Sequence, residues 1–435
     1  MLINFHFYNS RSFYEDTELS MRATTDDSFR ELNTFNISEK IMPKDDNELI
    51  KAAIIFGANA SGKTNVLKAF AYMASFVRFS SAQLLIAKSN ESFAFKTDAD
   101  KENSFYEVEI IYNGIYYKYG FELNSGNVKH EWLYKREERL TNVFERKGDQ
   151  LKIMGVPSQA INLIKVPNNT LFLSIGNNFN LTVNKYLSDV MAWFLNALIV
   201  FENTNNSLDI YNMENDKYKM QALEILRKAD IGITDFEVIK DKLATSSDPE
   251  SIFRLNSKLQ SDPSIIAGQL QADLENLYKI DMKTFFNVFN DEDQIVDKKD
   301  VLLFKDNGFN SEGTVRLICY LGWILAALDQ GRVIFIDEID SKLHFLVADY
   351  LLKLFNSIEH NPKNAQIICT AHNVLLMDES FRRDQIYFTS KDYRGRSSLV
   401  SLADYTGVRK KDLFSKKYLA GFYASLPNFS REKAD

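Results

Sequence analysis

Gly57-Ala58-Asn59-Ala60-Ser61-Gly62-Lys63-Thr64 has the residue types and spacing of a phosphate-binding loop. Gly57 and Gly62 allow backbone angles at which consecutive N–H groups face one anion. A helix opening near Lys63 adds its positive end. Lys63 sets a point charge against the β- and γ-phosphates of a nucleotide, and the Thr64 hydroxyl is a ligand for Mg²⁺. Asn59, Ala60, Ser61 and the following Asn65 complete the candidate cradle. A second set stands at Asp337-Glu338, after the apolar run Val333-Ile334-Phe335-Ile336. Asp337 can hold Mg²⁺ directly or through water, and Glu338 lies where a carboxylate polarises an attacking water. His372 closes another apolar run, Gln366-Ile367-Ile368-Cys369-Thr370, and can hydrogen-bond a γ-phosphate and sense its loss. Asn310-Ser311-Glu312-Gly313-Thr314-Val315-Arg316 precedes an apolar helix that Ser311 can cap, which makes a further anion site.

These residues need elements to hold them. Ala52-Ala53-Ile54-Ile55-Phe56 reads as a short buried strand and 64–79 as an apolar-rich helix, the context that a phosphate loop requires. Val333–Ile336 and Gln366–Thr370 read as strands buried on both faces, since their apolar runs are unbroken. From 301 onward strands and helices alternate, which predicts a mostly parallel α/β sheet. Residues 1–20 read as a strand pair turning near Asn9-Ser10, and 24–50 as polar and loop-like. Residues 90–175 are rich in strand signals, with a hairpin at Asn113-Gly114. Residues 181–300 read mostly as helices, with polar breaks at 203–209 and 243–250.

Composition narrows the class. The 435 residues are 45% hydrophobic and 26% charged, ordinary for a globular protein with a large core. Two cysteines exclude a disulfide scaffold and fit a reducing cytosol. A net charge of −7 excludes recruitment of nucleic acid by a global positive field. The N-terminus has no basic segment followed by an apolar one, so no signal peptide is read there. The longest apolar runs, 190–201 and 317–328, fall short of the roughly 20 residues that span a bilayer and read as buried helices. The expected location is the cytoplasm.

The order phosphate loop, long insertion, Ser-x-Gly segment, acidic strand, Asp340-Ser341, His372 resembles the ABC-type ATPase head, in the branch shared by SMC-like and OLD-like proteins. More closely, the chain is similar to the AAA_15/AAA_21 ATPases of bacterial anti-phage operons (AbiL-like and RloA-like). Supporting segments are Tyr8-Asn9-Ser10-Arg11-Ser12-Phe13, Tyr119-Gly120-Phe121-Glu122, Asp230-Ile231-Gly232-Ile233, Arg383-Asp384-Gln385-Ile386-Tyr387-Phe388 and Tyr418-Leu419-Ala420-Gly421. Ser10 stands where the family usually has an aromatic residue. Gly421-Phe422-Tyr423-Ala424 lacks the arginine common in the family tail, and no loop glutamine is placed: Gln83 can fill that role or simply be an exposed helix residue, the reading that its surroundings favour.

The resemblance implies ATP and Mg²⁺ as cofactors and hydrolysis to ADP and phosphate. It implies a homodimer, or a higher homo-oligomer joined through its ATP sites, in which Ser311 and Gly313 of one copy touch the γ-phosphate bound by the other. Asp340-Ser341 would sit at the seam. The expected architecture is an α/β ABC-type P-loop head, with a mostly parallel sheet and an antiparallel β subdomain, carrying a helical insertion. Its expected divisions are 1–180 (N-terminal lobe with the phosphate loop), 181–300 (insertion) and 301–435 (C-terminal lobe). Asp337 stands 280 positions after Gly57 (337 − 57), more than a compact P-loop domain needs.

The expected role is sensor or scaffold in an anti-phage, abortive-infection type system. Only 63 residues follow His372 (435 − 372) and they hold no second acidic cluster, so the toxin or nuclease effector is expected on a separate chain. Lys217-Tyr218-Lys219, Arg227-Lys228, Arg409-Lys410-Lys411 and Lys416-Lys417 can meet a nucleic-acid backbone or a protein, or simply face solvent. An SMC-like DNA-repair or chromosome ATPase is the alternative; it would want long heptad arms, which the chain lacks. No membrane partner is expected.

Overall fold

The computed structural model describes residues 1–43, 46–82, 92–201, 207–242, 278–304, 309–378, 380–409 and 412–423. A six-stranded sheet organises them, in the order Leu198–Val200, Val333–Ile336, Gln366–Thr370, Ala52–Gly57, Ile386–Lys391, Ser397–Ser401. The first five strands are parallel and the last is the antiparallel return of a hairpin. The central strands are continuous apolar runs because successive side chains serve two cores. Ile54, Phe56, Ile334, Ile336, Ile367 and Cys369 face one core. Ala53, Ile55, Val333, Phe335 and Ile368 face the other.

Helices Asp216–Lys228, Glu312–Gln330 and Phe345–Asn356 fill the first core. Helices Lys63–Phe79 and Asn184–Asn196 fill the second. Lys63–Phe79 has no proline or interior glycine, and Val66, Leu67, Phe70, Met73, Ala74 and Val77 recur at helical spacing on its buried side. Phe70 stacks on Phe335 at 3.9 Å and meets Phe5 edge-on at 5.4 Å, so it joins both sheets through one ring. Truncating it to Ala costs about 3–5 kcal/mol by the usual core penalty.

Beyond those helices lies a seven-stranded antiparallel sheet: Gln150–Ile153, Leu140–Lys147, Asn127–Arg136, Ile115–Asn124, Ser104–Tyr112, Leu2–Tyr8, Thr17–Ser20. Its inner residues, among them Phe5, Phe7, Tyr106, Tyr119 and Phe121, enter the second core. The hairpin read at Asn113-Gly114 is present, with φ of 49° and 73° and Tyr112 opposite Ile115, the left-handed pair that a two-residue hairpin turn requires. The segment 24–50 is not all loop: Thr34–Asn36 pairs with Glu48–Ile50.

The helical reading of 181–300 is corrected. Helices Asn184–Asn196 and Asp216–Lys228 are there, but Ile233–Lys242, Tyr278–Phe289 and Ile295–Leu302 form a three-stranded antiparallel sheet. Phe236 and Val238, at strand spacing, and Ile233, brought to the same core across a register shift, lay one strand side on the first core, and that pairing outweighs local helix signals. The run 190–201 is likewise not one helix. It breaks at Ala197, and Leu198–Val200 becomes the edge strand beside Val333–Ile336. The run 317–328 lies wholly within helix Glu312–Gln330, as read. Gln83, the stretches 243–250 and 203–206, Lys410, Lys411 and the tail from 424 lie outside the described residues. Among the described residues no helix is long and apolar enough to cross a membrane.

Candidate active site

Three adjacent parallel strands, Val333–Ile336, Gln366–Thr370 and Ala52–Gly57, end at one edge of the sheet. Asp337, His372 and the phosphate loop leave from those ends, the edge at which open α/β sheets bind ligands.

The phosphate loop is packed from below. A Cβ on Gly57 would lie 2.4 Å from Thr389 Oγ1, and one on Gly62, where φ is +117°, would lie 2.6 Å from Ser397 Oγ. Asn59 and Ala60 form the exposed apex, with Ala60 in the left-handed region at φ 62°. Ser61 Oγ and Thr389 Oγ1 share a hydrogen bond of 2.6 Å. The Ser397 hydroxyl lies 2.7 Å from the Ser61 carbonyl and 2.8 Å from Ser12 Oγ, and Asn65 Nδ2 donates to Ser12 Oγ at 2.8 Å. The loop is therefore braced by the N-terminal turn and by the hairpin 386–401. Thr389 and Ser397 carry no signal in the sequence, since serine and threonine in strands are common; Ser12 lies in the segment 8–13 that supports the family resemblance, but nothing there points to a contact with the loop.

The helix that opens at Lys63 has no side-chain N-cap, and a helix start of that kind suits an anion. Lys63 Nζ donates to the carbonyls of Gly57 at 2.9 Å and Ala58 at 3.2 Å. Burial lowers the Lys63 pKa, against the opposing pull of the Glu338, Asp337 and Asp340 carboxylates.

Asp337 is 5% exposed, and its Oδ1 accepts from Thr64 Oγ1 at 3.1 Å and from Thr370 Oγ1 at 2.8 Å. Glu338 sits in the left-handed region at φ 52°, uncommon for a residue with a side chain. Its backbone N–H donates to Thr370 Oγ1 at 2.7 Å. Glu338 Oε1 lies 3.1 Å from His372 Nε2. Asp340 accepts the backbone N–H groups of His372 at 2.9 Å and Asn373 at 2.5 Å, so the acid loop and the histidine loop are tied twice.

Among the described residues no three His, Cys, Asp or Glu side chains converge to hold a metal by themselves. Mg²⁺ needs no such cage, because it keeps several waters and takes one or two carboxylates plus substrate phosphates. Thr64 hydroxyl beside Asp337 carboxylate, next to a phosphate loop, fits that donor set.

Ser311 caps helix Glu312–Gln330, its Oγ accepting the Thr314 N–H at 3.0 Å. A Cβ on Gly313 would lie 2.5 Å from the Lys342 carbonyl oxygen, so glycine there lets the loop after the acids pass close by. Lys342 also pairs with Glu312 at 2.5 Å. The structure thus brings together the phosphate loop, Asp337, Glu338 and His372. Among the described residues no hydrogen bond joins Ser311 or Gly313 to the phosphate loop of the same chain.

The profile of AAA_21, described as "AAA domain, putative AbiEii toxin, Type IV TA system", matches residues 52–378. The chain belongs to the AAA_21 family. The matched span begins with the phosphate-loop strand and ends beyond His372, so this AAA_21 member carries its AAA ATPase domain on the sheet and the three strand ends described above. No curated protein matches the chain. Among solved structures it is similar to the one titled "Crystal structure of the SmcHead bound to the C-winged helix domain of ScpA", at 12% identity and a TM-score of 0.39, over 92% of this chain and 97% of that one.

Proposed function

We propose that this AAA_21 member binds and hydrolyses ATP between two copies of itself. In this reading the nucleotide state sets whether a separately encoded toxin or nuclease of an anti-phage system is released. The observation that supports it is the convergence of Lys63, Thr64, Asp337, Glu338 and His372 at three neighbouring strand ends.

The geometry supports the following roles. The loop from Gly57 to Asn65 cradles the phosphates with backbone N–H groups, and Lys63 turns from its own loop carbonyls toward the β/γ-phosphates. Thr64 and Asp337 hold Mg²⁺, which, when bound, neutralises charge developing on the phosphoryl oxygens. Glu338 accepts a proton from the attacking water, and His372 orients that carboxylate and senses the γ-phosphate. Ser311 and Gly313, exposed and half-buried, stand at a helix N-terminus that would meet the nucleotide of a second copy. One triphosphate then bridges two faces, and its hydrolysis removes the bridge.

Purified protein should hydrolyse ATP in a Mg²⁺-dependent manner. Co-purification with the product of the adjacent gene should differ between wild type and Lys63→Ala. A protein that neither binds nor cleaves ATP refutes the reading. A metal-dependent nuclease activity abolished by a point mutation in this chain refutes the separate effector.

A further inference from the structure

Thr370 is wholly buried, 0% exposed, at the end of the middle strand of the three. Its hydroxyl proton goes to Asp337 Oδ1 at 2.8 Å, while a lone pair of the same oxygen receives the Glu338 N–H at 2.7 Å. The Thr370 carbonyl accepts the Ile339 N–H at 3.0 Å. One residue therefore touches three consecutive residues of the acid loop. At their centre is Glu338, whose φ of 52° persists only where surrounding contacts over-determine it.

We infer that Thr370 is a positioning residue: its hydroxyl aims the Asp337 carboxylate at the Mg²⁺ position and, through the same oxygen, holds the Glu338 backbone in the turn that faces its side chain to His372. This rests on the reading of the site as a Mg²⁺-dependent ATPase. Replacing the hydroxyl by a methyl group leaves the Glu338 N–H without its acceptor and takes from Asp337 Oδ1 one of its two hydroxyl donors, the other being Thr64. Serine keeps the oxygen. Valine keeps the shape and the strand preference and loses both bonds.

The test compares wild type, Thr370→Val and Thr370→Ser as full chains. Binding of a fluorescent ATP analogue is measured in Mg²⁺ and in EDTA, alongside kcat and KM. Thr370→Val should bind as wild type does in EDTA, lose roughly tenfold or more of its affinity in Mg²⁺, and lose kcat by a similar factor, the scale of a hydrogen bond to a charged group. Thr370→Ser should recover most of both. Should valine prevent folding, Thr370→Ala against Thr370→Ser gives the same contrast. A valine variant equal to wild type in both buffers overturns the inference while leaving the ATPase reading intact. So does equal weakening with and without Mg²⁺, which marks a merely structural role. A wild type that binds nucleotide in neither buffer overturns both.

Discussion

Glu338 Oε1 and His372 Nε2 lie 3.1 Å apart across 34 residues of sequence, brought together because their strands are neighbours in the sheet and Asp340 ties the two loops. The pair sets the first prediction. Glu338→Gln keeps size and hydrogen-bonding capacity but cannot take a proton. Turnover should fall about 10²- to 10⁴-fold, while ATP binding persists. Size-exclusion chromatography with ATP should then show a trapped dimer that wild type shows only transiently. No ATP effect on size, with no permanent dimer either, counts against closure between two copies.

The in-trans placement of Ser311 can be tested by mixing. Lys63→Ala destroys the loop of one copy and Ser311→Arg the opposing face of the other, so each alone should be inactive. In an equal mixture half the dimers are mixed, and each mixed dimer has one intact site, so roughly a quarter of wild-type activity should return. If no activity returns, the two faces belong to the same chain.

Lys63 is buried among carboxylates and held by the carbonyls of its own loop. Lys63→Ala should therefore fold, yet lose the stabilisation that MgATP gives wild type. That stabilisation is about 2.7 kcal/mol at a hundredfold excess over Kd. Thermal melting with and without MgATP measures it; an undiminished shift in the variant rules out the role given to Lys63.

Gly62 combines φ +117° with a missing Cβ that would crowd Ser397 Oγ at 2.6 Å. Gly62→Ala should cost on the order of 1–3 kcal/mol, the usual range for strain stored at such a position. It should also abolish nucleotide binding, because the N–H groups it shifts are those proposed to face the phosphates. Urea midpoints and analogue binding, read together, check both parts.

Asp26 provides a pH prediction away from the site. Burial opposes its charge, but the Ser28 N–H and the Arg383 guanidinium prevail and lower its pKa from 3.8 to about 2. A group with a depressed folded pKa stabilises above its ordinary value and loses that contribution as pH falls through the folded one. The Asp26 contribution should thus be complete above pH 3.8 and vanish toward about 2. Urea midpoints of wild type and Asp26→Asn should converge over that interval. A constant gap between them would show that the charge is not what stabilises this contact.

Legibility in the sequence followed locality. The phosphate loop, the acid pair, the Ser311 cap and the Asn113-Gly114 hairpin were all readable, since each depends on residues within one turn or one strand end. Unbroken apolar runs at Val333–Ile336 and Gln366–Thr370 announced strands covered on both faces. The strands within 233–302 are not legible in the same way, because β-pairing draws its stability from partners far along the chain rather than from local preference.

Residue types and spacing along the chain point to the side chains suited to a phosphate, to the carboxylates suited to a metal, and to the strands that lie inside. Tertiary structure alone decided that Thr370, Ser12, Thr389 and Ser397 support those residues, and that Asp340 ties the histidine loop to the acid loop. The physical reason is that a hydroxyl or carboxylate acquires a role from the donor or acceptor set opposite it. That partner is chosen by strand order and register, neither of which is carried by a single residue's neighbours in the chain.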